Sequence, residues 1–244
     1  MPYTREDRLF ASYVMEFLGS FVIGMVIQLA HLFSFSAFAI SLSFLIAVIL
    51  AAKISGAHLN GAVTIMLALN KIRSEGTPHN VEIVFKYIIA QVLGGFCAGV
   101  CAAMLYGSVS LVDIKSTVSY PQAFALEFIY TFILCTVVSI LCSDLYKTSH
   151  DPTIVGALVA GSVFLASMSL GDRTGGVINP SVGVSAILAR AILYHSINLK
   201  QIWLYIFAPI SGGVGAHLLY HKVIRPAFRL QLTETKRDIK LSNI

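Results

Sequence analysis

Charge is scarce in this sequence: Asp, Glu, Lys and Arg make up 12% of its 244 residues, where a soluble domain carries about a quarter. With 57% hydrophobic residues and a mean hydropathy of +0.80, that scarcity excludes a freely soluble globular chain. Cysteine is sparse as well. The four, Cys97, Cys101, Cys135 and Cys142, lie in apolar runs with no His or carboxylate at a ligand-like spacing, so no metal or redox site is indicated. They are expected to be small packing residues out of reach of thiol reagents. No HExxH, GxSxG or phosphate-binding loop occurs and the histidines are scattered, which leaves no enzyme signature and no expected cofactor.

What is present is long apolar sequence. Six runs approach the roughly 20 residues that a helix needs to cross a hydrocarbon core: Phe10 to Phe33, Phe35 to Ala52, Tyr87 to Tyr106, Ala123 to Cys142, Ile154 to Leu170 and Ile202 to Tyr220. The N-terminal MPYTREDR is too mixed in charge for a signal n-region and no small-x-small cleavage site follows the first run, so that run is expected to be retained. With the N-terminus cytoplasmic, only Lys115, Arg173, Arg190 and Lys200 fall outside, and 17 − 4 = 13 basic residues lie inside. That bias predicts cytoplasmic N- and C-termini. The net charge of +5 is thereby read as a topology signal, with membrane lipid around the chain and no nucleic-acid partner. The stretch 223–244 is polar and expected to be a mobile cytoplasmic tail.

Two stretches break the pattern. SGAHLNGAVT (55–64) and TGGVINPSVG (174–183) each follow an apolar run and lead into one too short to cross a bilayer. The halves also match each other. MEFLGSFVIG from Met15 pairs with LEFIYTFILC from Leu126, the two breaks pair, and AQVLGGFCAG pairs with APISGGVGAH, at offsets of 111, 119 and 118. Residues 10–106 and 121–222 therefore form a tandem repeat within one membrane domain, 1–244. Each copy holds three spans, an odd number, so the second enters from the opposite face: an inverted three-plus-three repeat. Asn60 to Leu69 and Asn179 to Ile192 are then half-helices whose N-termini meet near the midplane. Irregular backbone at that depth must be buried in protein or line a water-filled cavity, so the breaks predict a pore. Asn60 and Asn179 cap helix ends where the macrodipole is positive, and the carbonyls of Ser55 to His58 and Thr174 to Val177 are expected to line the path.

Over about residues 11 to 222 the sequence resembles the aquaporin and glycerol-facilitator channels, the major intrinsic proteins. The resemblance rests on a Glu in the first and fourth spans, SGAHLN-x-AVT, QVLGG and TGGVINPS. It implies an all-α membrane fold of six tilted helices and two re-entrant half-helices, a homotetramer with one pore per subunit, and water or a small neutral solute as permeant. Asn60 and Asn179 would form the central constriction, with Gly61, Ala62, Pro180 and Ser181 completing the two boxes. Glu16 and Glu127 would brace the loops. A proton relay or transport coupling is the other reading of these carboxylates. His58 is open to two readings, a pore-side gate or packing against the neighbouring half.

The family pattern is broken at three places. Gly61 replaces a proline and removes a rigid first helical residue, Ser181 replaces an alanine, and Val182 stands where an arginine is usual. The matching filter positions are about Ile40, Ser167 and Gly176, so that Ile40, Ser167, Gly176 and Val182 make a filter without charge or aromatic ring, wide enough for glycerol, urea or ammonia as well as water. Arg173 and Arg190 are the cations left to substitute. Two rival readings exist. An inverted-repeat secondary transporter wants coupling carboxylates near the breaks, whereas Glu16 and Glu127 are expected to lie far along their spans from them; a non-conducting structural or adhesion member has a closed pore.

Overall fold

The structure, a computed structural model, describes residues 4–32, 34–75, 80–107, 112–143, 151–194 and 199–242. Among these, nine α-helices follow one another: α1 Arg5–Gln28, α2 Ser36–Ser55, α3 Gly61–Glu75, α4 Val81–Tyr106, α5 Tyr120–Leu141, α6 Pro152–Thr174, α7 Pro180–Tyr194, α8 Ile202–Leu219 and α9 Arg225–Ser242. Five of them, α1, α2, α4, α5 and α6, are long and apolar enough to cross a membrane, as is the continuous run Leu199–Gln231 that contains α8. At about 1.5 Å per residue, the 15 residues of α3 and of α7 fall short of a core about 30 Å thick.

Local sequence sets where these helices begin and stop. At the start of α1 the Thr4 hydroxyl accepts from the Asp7 N–H and the Asp7 carboxylate accepts from the Thr4 N–H, a reciprocal cap repeated by Ser119 and Gln122 at α5. Asp151 caps α6 ahead of Pro152, and the Thr153 N–H holds its carboxyl below the usual range. Left-handed Gly56, Gly107 and Gly175 close α2, α4 and α6.

Packing respects the repeat: α1 lies on α4 as α5 lies on α8, α3 meets α8 as α7 meets α4, and α2 meets α6 across the centre. Polar and small residues take inward positions that a soluble helix gives to large apolar ones, most clearly in α1. The inward face of α1 is Ser12, Glu16, Gly19, Ser20, Ile23 and Gly24, whereas Leu18, Val22, Leu93, Ile129, Leu165 and Phe207 point outward. Lipid gives no hydrophobic drive for helix association, so small residues that let backbones approach do the packing. Gly94 on α4 leaves no room for a Cβ against the Phe17 carbonyl of α1. Its counterpart Gly212 on α8 would place one 2.6 Å from the Phe128 carbonyl of α5.

Two expectations change. The half-helices extend further than the apolar runs, to Glu75 and Tyr194. The polar tail is helical: a turn of π-helix, Tyr220–Ile224, carries α8 into α9 as far as Ser242. Its Arg, Leu, Gln, Glu and Lys residues are good helix formers, which hydropathy does not register. Lys147, counted on the inner side, lies outside the described residues.

Gly94→Ala and Gly212→Ala should each destabilise the protein by about 1–3 kcal/mol, because the obstructing atoms are backbone and cannot rotate away. Gly161→Ala is the control, since nothing lies within 4 Å of a Cβ there. Unfolding midpoints in one detergent check the contrast.

Candidate functional site: the junction of the two half-helices

The site begins with two carboxylates fully sealed from solvent, Glu16 and Glu127, each 0% exposed. Glu16 accepts from the Ser55 hydroxyl (2.6 Å) and the His58 N–H (2.9 Å) on one oxygen, and from the Leu59 N–H (2.7 Å) and Gln91 Nε2 (2.8 Å) on the other. Glu127 repeats the arrangement with the Thr174 hydroxyl (2.6 Å), the Val177 N–H (3.1 Å) and the Ile178 N–H (2.6 Å). Both carboxylates therefore lie against the breaks, which corrects the expectation that they sit far from them. A residue count along a span does not show how deep a re-entrant loop reaches.

The loops need this support. Ala57, Leu59 and Ile178 have φ of 50°, 51° and 42°, a left-handed backbone that costs roughly 1–3 kcal/mol per non-glycine residue. Gly56, Gly175 and Gly176 occupy the same region at 86°, 85° and 60°, where glycine carries no such cost. On the acceptor side, Tyr87 donates to the Ser55 carbonyl (2.8 Å) and Tyr205 to the Thr174 carbonyl (2.7 Å). These two carbonyls, expected to line the path, are thus turned into the bundle.

Held this way, the loops bring the N-termini of α3 and α7 together. Asn60 Oδ1 accepts from the Ala62 N–H (2.8 Å) and, at longer range, the Val63 N–H (3.5 Å); Asn179 Oδ1 accepts from the Ser181 N–H (3.0 Å) and the Val182 N–H (3.4 Å). Each is the cap of its own half-helix. Their amide nitrogens reach across: Asn60 Nδ2 donates to the Ile178 carbonyl (3.0 Å) and Asn179 Nδ2 to the Leu59 carbonyl (2.8 Å). A primary amide carries two N–H bonds, so each Asn keeps one donor beyond this cross-link. Residues 56 to 60 line a cavity of about 30 Å³ with Phe44, Val63, Leu134 and Cys142 among their neighbours, room for about two waters at 10–15 Å³ apiece.

The expected filter positions are only partly assembled. A Cβ on Gly176 would lie 3.5 Å from the Ser167 Cα, so these two adjoin. Ile40 packs at the edge of the main apolar cluster, and Val182, 5% exposed, sits in a second one with Val177, Leu204 and Tyr205. Arg173 is exposed at the end of α6, beside Lys115 and Asp172 in an open cleft. His58 rests its ring on Tyr87 with centroids 4.9 Å apart, has Nδ1 3.3 Å from the Thr64 hydroxyl, and also borders the cavity. The ring thus packs on Tyr87 of its own half, not the neighbouring one, while bordering the cavity.

Sequence reasoning missed Tyr87 and Tyr205, and Ser55 and Thr174 as side-chain donors. All four were findable, because each pair is separated by the repeat offset. Gln91, within QVLGG, carries no such signal. Cys142 is a correction: it follows the last residue of α5, is exposed and borders the cavity, whereas Cys135 is buried and Cys97 and Cys101 are half-buried.

Six membrane-length helices enclosing two abutting half-helices define a re-entrant, inverted-repeat membrane protein, an integral multi-pass architecture. Residues 8–220 match the family model described as Major intrinsic protein, and the chain belongs to that family. Among similar proteins, aquaporin NIP3-1 of Oryza sativa subsp. japonica is 35% identical over 176 residues, which is 70% of this chain and 51% of that protein. The glycerol uptake facilitator protein of Escherichia coli (strain K12) is 31% identical over 211 residues, 73% of this chain and 72% of that one. The chain thus spans about half the length of the rice and maize relatives it matches. The X-ray structure of the aquaglyceroporin from Plasmodium falciparum superposes with a TM-score of 0.80 over 91% of this chain and 99% of that one at 23% identity, which shows the aquaporin fold.

Glu127→Ala leaves two N–H groups and a hydroxyl without an acceptor, at about 1–3 kcal/mol each. Glu127→Gln keeps one acceptor oxygen, so stability should fall in the order natural, Gln, Ala, read as unfolding midpoints. For the thiols, access is the contrast the structure gives: a maleimide should modify exposed Cys142 before buried Cys135, and Cys142→Ser should remove that earlier-modified fraction in intact-mass measurements.

Proposed function

We propose that this protein is a passive channel for water and small neutral solutes such as glycerol, with no chemical step of its own. The observation that carries the reading is the pair of crossed asparagine amides. Each is oriented by its own helix cap and by the opposite loop, and each keeps one N–H to offer a passing oxygen. A water or hydroxyl that accepts from both is turned so that it cannot accept along the file, and the two positive helix ends repel cations there. Relatives named aquaporin, aquaglyceroporin and glycerol uptake facilitator protein support the same class. A coupled transporter is less well supported, because both buried carboxylates spend their oxygens on loop donors.

In this reading Ile40, Ser167, Gly176 and Val182 form an outer filter without charge, and His58 stands at the opposite approach. The working unit is a homotetramer, one pore per subunit, with both termini cytoplasmic, as the distribution of Lys and Arg supports.

The test is paired flux in liposomes at equal incorporation. The natural protein should pass glycerol and urea as well as water. Val182→Arg adds a fork of donors and a full positive charge to a low-dielectric passage. It should lower glycerol and urea flux by about tenfold, a barrier change of about 1.4 kcal/mol, and reduce voltage-driven proton leak while water flow persists. A natural protein that already excludes glycerol, urea and protons as tightly as the variant would refute the uncharged filter.

A further inference from the structure

The two boxes depart from the usual pattern at Gly61 and at Ser181, and the structure places these departures against each other. A Cβ on Gly61 would lie 2.9 Å from Ser181 Oγ and 3.0 Å from Pro180 Cγ. The Ser181 hydroxyl occupies that space with a defined partner: it donates to Gln91 Oε1 at 2.9 Å. Gln91, 1% exposed, sends its amide nitrogen to Glu16 Oε2 at 2.8 Å and to Thr64 Oγ1 at 3.0 Å. The Thr64 hydroxyl in turn donates to the Asn60 carbonyl at 3.0 Å.

The carboxylate fixes which way the Gln91 amide points. Glu16 Oε2 and a Thr64 oxygen whose proton is already committed can only accept, so the Gln91 nitrogen must face them and Oε1 must face Ser181. Turning the amide over would set its oxygen against a carboxylate. Removing the Ser181 hydroxyl leaves a buried carbonyl unpaired, and a substituent on Gly61 drives the hydroxyl off the same oxygen. Position 209, the repeat counterpart of Gln91, is Pro209, so the second half has no equivalent link.

We infer that Gly61 and Ser181 act as one unit: the missing side chain at 61 admits the hydroxyl at 181, which through Gln91 positions the Glu16-braced loop that presents Asn60. Ser181 is a positioning residue of the junction, and Gly61 is the space it requires. The flux consequences rest on the channel reading above; the pairing itself does not.

The experiment compares the natural protein with Gly61→Pro, Ser181→Ala and the double variant, reading water flux per channel in liposomes and unfolding midpoints in detergent. Gly61→Ala serves in the same cycle if Gly61→Pro does not fold, because position 61 is the first residue of α3 and its backbone accepts any side chain. Gly61→Pro alone should lose about tenfold in flux, within the range that contacting neighbours show, and adding Ser181→Ala should return it to the level of Ser181→Ala alone. On a Gln91→Leu background, Ser181→Ala should cost nothing further. Losses that simply multiply in the double variant overturn the pairing, and a rescue of the midpoint without rescue of flux overturns the positioning role. If no protein in the set conducts above empty liposomes, the channel reading fails, and the midpoints alone decide whether Gly61 and Ser181 are coupled.

Discussion

Backbone N–H groups at membrane depth have no water to turn to, and in this protein the four that matter most are gathered by two carboxylates. Glu16 takes those of His58 and Leu59, and Glu127 takes those of Val177 and Ile178. Everything at the junction follows from that capture. The left-handed residues Ala57, Leu59 and Ile178 hold an unfavourable backbone because their own donors or those of their neighbours are pinned, and Tyr87 and Tyr205 hold the carbonyl side. Only then can each asparagine amide reach the opposite loop, Asn60 donating to the Ile178 carbonyl and Asn179 to the Leu59 carbonyl.

Much of this was legible in the sequence. Span count, the two breaks and the pairing of halves rest on composition and on a fixed offset, and neither depends on tertiary detail. Depth does not have that property. Glu16 and Glu127 looked remote from SGAH and TGGV because a linear count treats the loop as surface, whereas the loop returns to the level of the carboxylate. Cys142 was misread for a related reason: one residue past the end of α5, apolar periodicity no longer says which way a side chain points. Tyr87 and Tyr205 could have been found by asking which polar residues recur at the repeat offset. Gln91 could not, since a proline answers it in the other copy.

That exception shows how far the halves have drifted apart. The first half has a flexible glycine at the start of its half-helix and a four-donor carboxylate behind it; the second has Pro180 and a three-donor carboxylate. Stiffness is supplied by side-chain hydrogen bonds on one side and by a covalent ring on the other. The symmetry is one of outcome, two opposed amides, reached by unequal means.

The crossed amide bonds also constrain biogenesis. Asn60 and the Ile178 carbonyl are 118 residues apart, and Asn179 and the Leu59 carbonyl 120. At a synthesis rate of about 5–20 residues per second, the first break waits roughly 6–24 s in the membrane before its partner exists. Through that interval the Asn60 amide and the Leu59 carbonyl lack the partners they have in the finished fold. The junction therefore cannot close before the second copy has been made as far as Asn179, and a nascent chain halted between the copies holds the first break without its cross-link.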